Sequence, residues 1–584
     1  MQVTYSVSLR PPEHLLEVTV RVTGAGTTPL RAIIPTWVPG AYAFLRYARN
    51  VYALRVTNGA GQAVDFRRDG LTAWVVDAPG PETVFHYKVH LYEPAWSELH
   101  GFVEHDTAVL LGTNYLHFPA HTGPVEVQYT PPPGWMMHHP AGATALGTNH
   151  HRYPGFHALL DAPVTLGRFE RFTRMCQGTP FHFVFLNRAV GFDAQLERFM
   201  DDAMKLVETC HAVFGHFPFE HYSFVCSFAP QHHWGLEHRA STMVAFGENG
   251  LIDPVERMRA MRLITHELFH AWNVCSLKPR EFLFPDLEHG SFTDLLWVAE
   301  GLTRYYEYLL PVRAGVMTPE ELLSNVLNYF THLRWLPAYQ HVTAQDSSRA
   351  TFLNHHRYPG SPNASVDYYD VGMLIAFDLD VCLLGQSPPR GLDSEFAEFY
   401  RTHVKEGFTH AQWMEFFGGR TPALKDVLTR DVTTAGGLGT LGALEALGFS
   451  VVEEPVPVLG VTLAEDKGPA ILNVFEGSAA ALGGLAPGDV LERVDGFPFS
   501  LKALRYTLDQ KRALTLTVRR GHAWHTFQVA PGTRSAVTQL RFTGSDAHRA
   551  RLQQWLRRPD FSPASDATIP ITPYDNFHGV HTLL

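Results

Sequence analysis

The chain has 584 residues, 45% of them apolar and 18% charged, so it exceeds one hydrophobic core and should divide into roughly three or four domains. A formal charge of -11 argues against a nucleic-acid partner. Five scattered cysteines (Cys176, Cys210, Cys226, Cys275 and Cys382) include no CxxC pair and indicate neither a disulfide framework nor a cysteine metal site.

The opening stretch, MQVTYSVSLRPPEHLLEVTVRV, alternates like a strand and lacks the charged and apolar regions of a secretory leader. No apolar run is long enough to span a bilayer, so a soluble cytoplasmic protein with no membrane partner is expected. Residues 1–170 read as an all-β, sandwich-like domain, because LLEVTVRV, AVDFRR, TAWVVDA and TVFHYKVHLY are short alternating runs separated by turn-forming clusters. From about 190 the period becomes helical through Leu196, Phe199, Met200, Met204, Val207 and Val213. Strand-like YSFVCSF and GLEHRASTMVAF follow, then a long helical stretch, which predicts an α+β catalytic unit with a mainly helical subdomain over 171–450. Short strands return over 455–531, and 532–584 form a C-terminal extension with one helical piece, AHRARLQQWLRR.

The strongest chemical signal is His266-Glu267-Leu268-Phe269-His270, because two histidines four apart on a helix can grip one ion. Asp253 as N-cap, Pro254 in the first turn and Glu256 as capping-box partner announce that helix. With 33 histidines in the chain the motif needs a second element. SFTDLLWVAEGLTRYYEYLL supplies it: a helix predicted to be capped at Ser291 and Asp294 that carries Glu300, completing a His₂Glu set that leaves one zinc position open. One Zn²⁺ per chain is therefore expected, with Glu267 as general base toward the attacking water.

HELFHAWN with WVAEGLTRYY resembles the gluzincin zinc aminopeptidases, and more closely their glycyl-aminopeptidase branch, which joins a thermolysin-like catalytic domain to a PDZ domain. IPTWVPGAYAFLRYARNV, GLEHRAS, HExxHxWN, WxxEG and Tyr-Tyr-x-x-Gly occur in that family's order. The resemblance implies that Gly235 and Glu237, in the segment Gly235-Leu236-Glu237-His238, are substrate-binding, with Glu237 taking the free α-amine of a peptide, and that Tyr369 stabilises the oxyanion in preference to Tyr368. His238 orients Glu237, contacts substrate or is structural. Val371 stands where relatives commonly have lysine, and Cys275 and Ser276 interrupt a stretch that is usually basic.

Val458-Leu459-Gly460-Val461-Thr462-Leu463 and GGLAPGDVLERVDG resemble a PDZ domain, which implies a site for a C-terminal peptide at Leu459, Gly460 and Val461, or else a packing module with its groove blocked. The tail, His581-Thr582-Leu583-Leu584, is itself similar to a PDZ ligand and is a candidate occupant. The expected function is a zinc aminopeptidase that removes an N-terminal glycine or alanine. A PDZ-guided endopeptidase and a non-catalytic peptide-binding protein are the alternatives, and the oligomeric state stays open.

Overall fold

The computed structural model describes residues 1–92, 101–228, 234–353, 360–464, 469–571 and 581–583; Leu584 lies outside them. The chain forms two compact units, 1–292 with 403–407, and 293–402 with 408–584.

The first unit begins β-rich. In Gln2–Arg10 every second residue (Val3, Tyr5, Val7, Leu9) is buried, as a strand with one face on a core requires. This strand sits inside a seven-stranded sheet, between Leu15–Thr23, antiparallel to it, and Val125–Thr130, parallel to it. Two smaller sheets, of four and three strands, share one apolar core with it through residues such as Val103, Leu110, Val164, Ile33 and Trp74.

A five-stranded mixed sheet follows, ordered Glu170–Cys176, Thr179–Phe185, Tyr222–Phe228, Ser241–Phe246 and Trp234–His238. Its central pairings are parallel, and its edge strand Trp234–His238 is antiparallel to its neighbour. The helix Asp193–Phe214 buries Leu196, Phe199, Met200 and Val207, and Gly215, at φ +76°, ends it in the left-handed conformation that glycine adopts most easily. The motif helix Pro254–Phe269 starts as predicted, with the Asp253 side chain accepting from the amides of Val255 and Glu256. The expected capping box is not made, because Glu256 turns back to accept from the Asn249 amide.

The segment leading to Glu300 departs from expectation. Ser291 accepts from the Asp286 amide, Asp294 accepts from Gln345 and Arg349, and neither caps the helix. The Ser348 hydroxyl instead takes the Trp297 amide. Trp297–Leu302 is a π-helical turn continuing into the α-helix Thr303–Arg313. Its Gly301 crosses Gly372 of the helix Tyr368–Leu384 so closely that a Cβ on Gly301 would lie 2.4 Å from the Gly372 Cα. A Cβ on Gly372 would lie 2.1 Å from the Trp297 carbonyl oxygen. The glycines of the WxxEG and Tyr-Tyr-x-x-Gly segments therefore serve one helix crossing.

Further on, the long strands Phe449–Val458 and Gly532–Phe542 pair along their length. Between them in sequence lies a small β-rich body whose core includes Leu459, Val461, Leu463, Leu491, Leu504 and Leu516. The late helix Asp546–Leu556 is tied into the helical part: the Trp555 indole donates to Tyr305 Oη (2.8 Å), and Arg313 donates to the Trp555 carbonyl. No helix among the described residues is long and apolar enough to cross a membrane.

Candidate active site

His266, in the last turn of the helix Pro254–Phe269, and His270, its C-cap, hold their Nε2 atoms 3.0 Å apart. The His270 Nδ1 lies 2.6 Å from the Asn273 carbonyl oxygen, which can only accept, so Nδ1 carries the proton and Nε2 presents a lone pair. Trp272 secures the turn that places Asn273: its indole donates to the His216 carbonyl at 3.0 Å and its ring stacks on Phe214. The family-like Trp272-Asn273 pair thus orients a ligand rather than contacting an ion.

Ligand atoms of His266, His270 and Glu300 all lie within 4.8 Å of one another, and the three residues are buried. A buried carboxylate against imidazole lone pairs is costly unless a cation joins them. Tetrahedral zinc at 2.0–2.1 Å from its ligands holds them about 3.3 Å apart, close to the observed histidine spacing. The donor set fits zinc.

Glu267 is 4% exposed, on the same helix. Its carboxylate packs against the backbone of Gly235, where a Cβ would lie 2.2 Å from Oε1. Gly235 is thus the one residue type that leaves Glu267 its place. Two residues along the same edge strand, partly exposed Glu237 is met by Gly40, whose hypothetical Cβ would lie 2.8 Å from Oε1. Gly40 sits at φ +86°, so its backbone reaches the carboxylate in a conformation that disfavours any side chain. His238 points to the other face of the strand, as alternation requires, and its Nδ1 lies 3.2 Å from Asp161. That contact ties the edge strand down and gives His238 a structural task.

The Tyr369 amide donates to Asp367 at the start of the helix Tyr368–Leu384. Tyr368 is buried, and burial together with the charge of Glu300 raises its phenol well above the usual range. Tyr369 is partly exposed, and the Arg304 guanidinium lies 4.4 Å from its ring centroid. Arg304 also pairs with Asp370 at 2.5 Å. A cation thus stands beside Tyr369 although position 371 is a buried valine; it comes from the helix that follows Glu300. Sequence reasoning missed Arg304 and Gly40. Arg304 lies four residues after Glu300, a helical neighbour position, and Gly40 lies in the family-like Trp-Val-Pro-Gly-Ala-Tyr segment.

In the small β-rich body, Leu459 and Gly460 form the turn before the strand Val461–Ala464. They line a cavity of about 180 Å³ with Trp335, Phe475, Ser478 and Arg534.

Comparison with known proteins gives two family matches, M61 glycyl aminopeptidase over residues 259–375 and the peptidase M61 N-terminal domain over 4–168. Among solved structures, an aminopeptidase N family protein from Idiomarina loihiensis is similar over 95% of this chain and 100% of its own, at 21% identity and a TM-score of 0.86, which establishes a shared fold. An M1 zinc metallopeptidase from Deinococcus radiodurans is similar over 74% of this chain and 93% of its own, at 15% identity and a TM-score of 0.45. No curated protein matches the chain.

Proposed function

The chain belongs to the M61 peptidase family, and on that premise we propose that it is a zinc-dependent aminopeptidase that removes a small N-terminal residue, glycine or alanine, from peptides. The observation that carries the reading is the buried His266, His270 and Glu300 cluster on the sheet-and-helix framework that also presents Glu237. These three residues would hold one zinc ion per chain. Bound there, the metal supplies a Lewis acid that polarises the scissile carbonyl and lowers the pKa of water. Glu267, kept in place by the Gly235 backbone, takes the proton of the attacking water and passes it to the leaving amine. Tyr369 donates its phenol proton in a hydrogen bond to the oxyanion, with Arg304 adding positive charge behind its ring. Glu237 accepts hydrogen bonds from the substrate α-ammonium, an interaction that a blocked or internal peptide cannot make.

The same reading makes 171–450 the catalytic domain behind an N-terminal β-domain, and 455–531 a PDZ-like module, with Leu459, Gly460 and Val461 as its peptide-binding loop. The endopeptidase alternative has no use for Glu237. One peptide offered with a free and with an N-acetylated terminus distinguishes the two: the proposal expects loss of cleavage on acetylation, and equal cleavage contradicts it. Tyr369→Phe should lower kcat about 100-fold, while Tyr368→Phe serves as the control.

A further inference from the structure

The strand Val461–Ala464 is paired on both sides. Ile471–Val474 lies antiparallel on one side, with Val461 opposite Val474 and Thr462 opposite Asn473. On the other side lies His581–Leu583, also antiparallel, with Thr462 opposite Leu583, Leu463 opposite Thr582 and Ala464 opposite His581. The strand order is therefore Ile471–Val474, Val461–Ala464, His581–Leu583, and the late segment is the edge.

Two features make this edge a receptor for an extended chain. Val461 and Leu463 are anchored in the small body's core with Leu459, Leu491, Leu504 and Leu508, so the strand is rigid, and its backbone donors and acceptors are fixed in place. With the late strand displaced, this fixed edge would offer a row of amides and carbonyls that any extended peptide can satisfy without a sequence-specific side chain. The register also has a direction: residues 581 to 583 run from Ala464 toward Gly460. Gly460 has φ +81°, and a Cβ there would meet the Ser478 Cβ at 2.3 Å, so the turn is tight and built for glycine. The cavity beside this turn lies in the direction that the late strand travels.

We propose that residues 581–583 are an internal ligand of the strand Val461–Ala464, so that an external extended peptide reaches this edge only by displacing them. The competitor is intramolecular, and a tether of this kind presents it at an effective concentration on the order of millimolar. An external peptide of similar intrinsic affinity is then excluded until the tail is released. The proposal rests on the reading of Leu459, Gly460 and Val461 as a peptide-binding loop and is independent of the aminopeptidase assignment.

Two readouts on three proteins test it: the full chain, Thr582→Pro, and a chain cut after Ile571. Proline at 582 removes an amide from the tail strand and disturbs nothing in the receiving body. Hydrogen exchange at residues 461–464 reports whether the tail is seated. Anisotropy of a labelled Gly-Val-His-Thr-Leu-Leu peptide reports whether the edge accepts a peptide. The expected result is faster exchange at 461–464 in both variants and peptide binding about tenfold tighter than to the full chain. Unchanged exchange in both variants shows that the tail is not seated and overturns the proposal. Faster exchange without peptide binding shows a structural strand and overturns the competition, leaving the catalytic reading untouched.

Discussion

Two groups of histidines in the first compact unit are built from the same side chain and have opposite surroundings. In one, His266 and His270 direct their Nε2 atoms to a common point, 3.0 Å apart, with an acceptor-only carbonyl fixing the proton of His270 on the far nitrogen. In the other, His138, His139, His151, His182 and His221 pack as rings: His139 stacks on His151 at 4.1 Å, and His182 meets His138 and His221 edge-on. There, neutral hydroxyls take up ring nitrogens of three of the five. His138 Nε2 lies 2.8 Å from Ser223 Oγ, His139 Nε2 lies 2.6 Å from Tyr153 Oη, and His182 Nδ1 lies 3.0 Å from Thr173 Oγ1. Among the described residues only the first group, with Glu300, has metal-ligand geometry. A metal site is thus recognised by ring nitrogens that converge with a carboxylate, not by the number of histidines present.

Substitutions that act on the first group should change turnover, and those in the second should change only stability. The largest effect is expected for Glu267→Gln, which keeps the shape of the site and removes the base: kcat should fall about 1000-fold while zinc content is unchanged. Near-normal hydrolysis by that variant, free of contaminating peptidase, would remove Glu267 from the mechanism. Gly235→Ala comes next. Its Cβ occupies the space of the Glu267 carboxylate and should lower kcat about 100-fold, with thermal unfolding close to that of the parent. Gly40→Ala should be milder, because its Cβ meets the end of the Glu237 side chain: a roughly tenfold loss in kcat/KM, carried by KM, for free-amine substrates. A loss carried by kcat alone would mean that Gly40 acts elsewhere.

The smallest effect concerns the packed cluster. Burial, reinforced by its histidine neighbours and Arg171, pushes His138 down to about 3, and burial beside His151 pushes His139 to about 4. Both are neutral in the fold, whereas the unfolded chain protonates near 6.5. Their contribution to stability is therefore complete above about pH 6.5 and is lost as pH falls toward 4, by up to about 1.4 kcal/mol per pH unit for each ring. His151→Phe keeps the stack on His139 and removes one titrating group, so the drop in urea midpoint between pH 7 and pH 5 should shrink. An unchanged drop would place the acid sensitivity outside this cluster.

How much of this was legible follows from how local each feature is. The histidine pair and its base lie within five residues of one helix, and the helical period with Asp253 and Pro254 announced that helix directly. The strands of the first 170 residues were readable because one face of the large sheet is buried, so apolar residues alternate. The cap of the segment before Glu300 is not legible locally, because Ser291 and Asp294 find partners at Asp286, Gln345 and Arg349, contacts that no local pattern encodes. The pressing of Gly235 on Glu267, of Gly40 on Glu237 and of Gly301 on Gly372 is likewise non-local. A glycine in sequence signals freedom, and only the fold shows that here it signals the approach of another chain segment.

The claim on which everything else stands is that His266, His270 and Glu300 hold zinc. Metal analysis of the purified protein after zinc loading and desalting tests it most directly, with Glu267→Gln and His270→Ala prepared alongside. About one zinc per chain in the parent and in Glu267→Gln, and almost none in His270→Ala, is the predicted result. A parent protein that takes up no zinc, or a His270→Ala variant that retains it in full, would contradict the account.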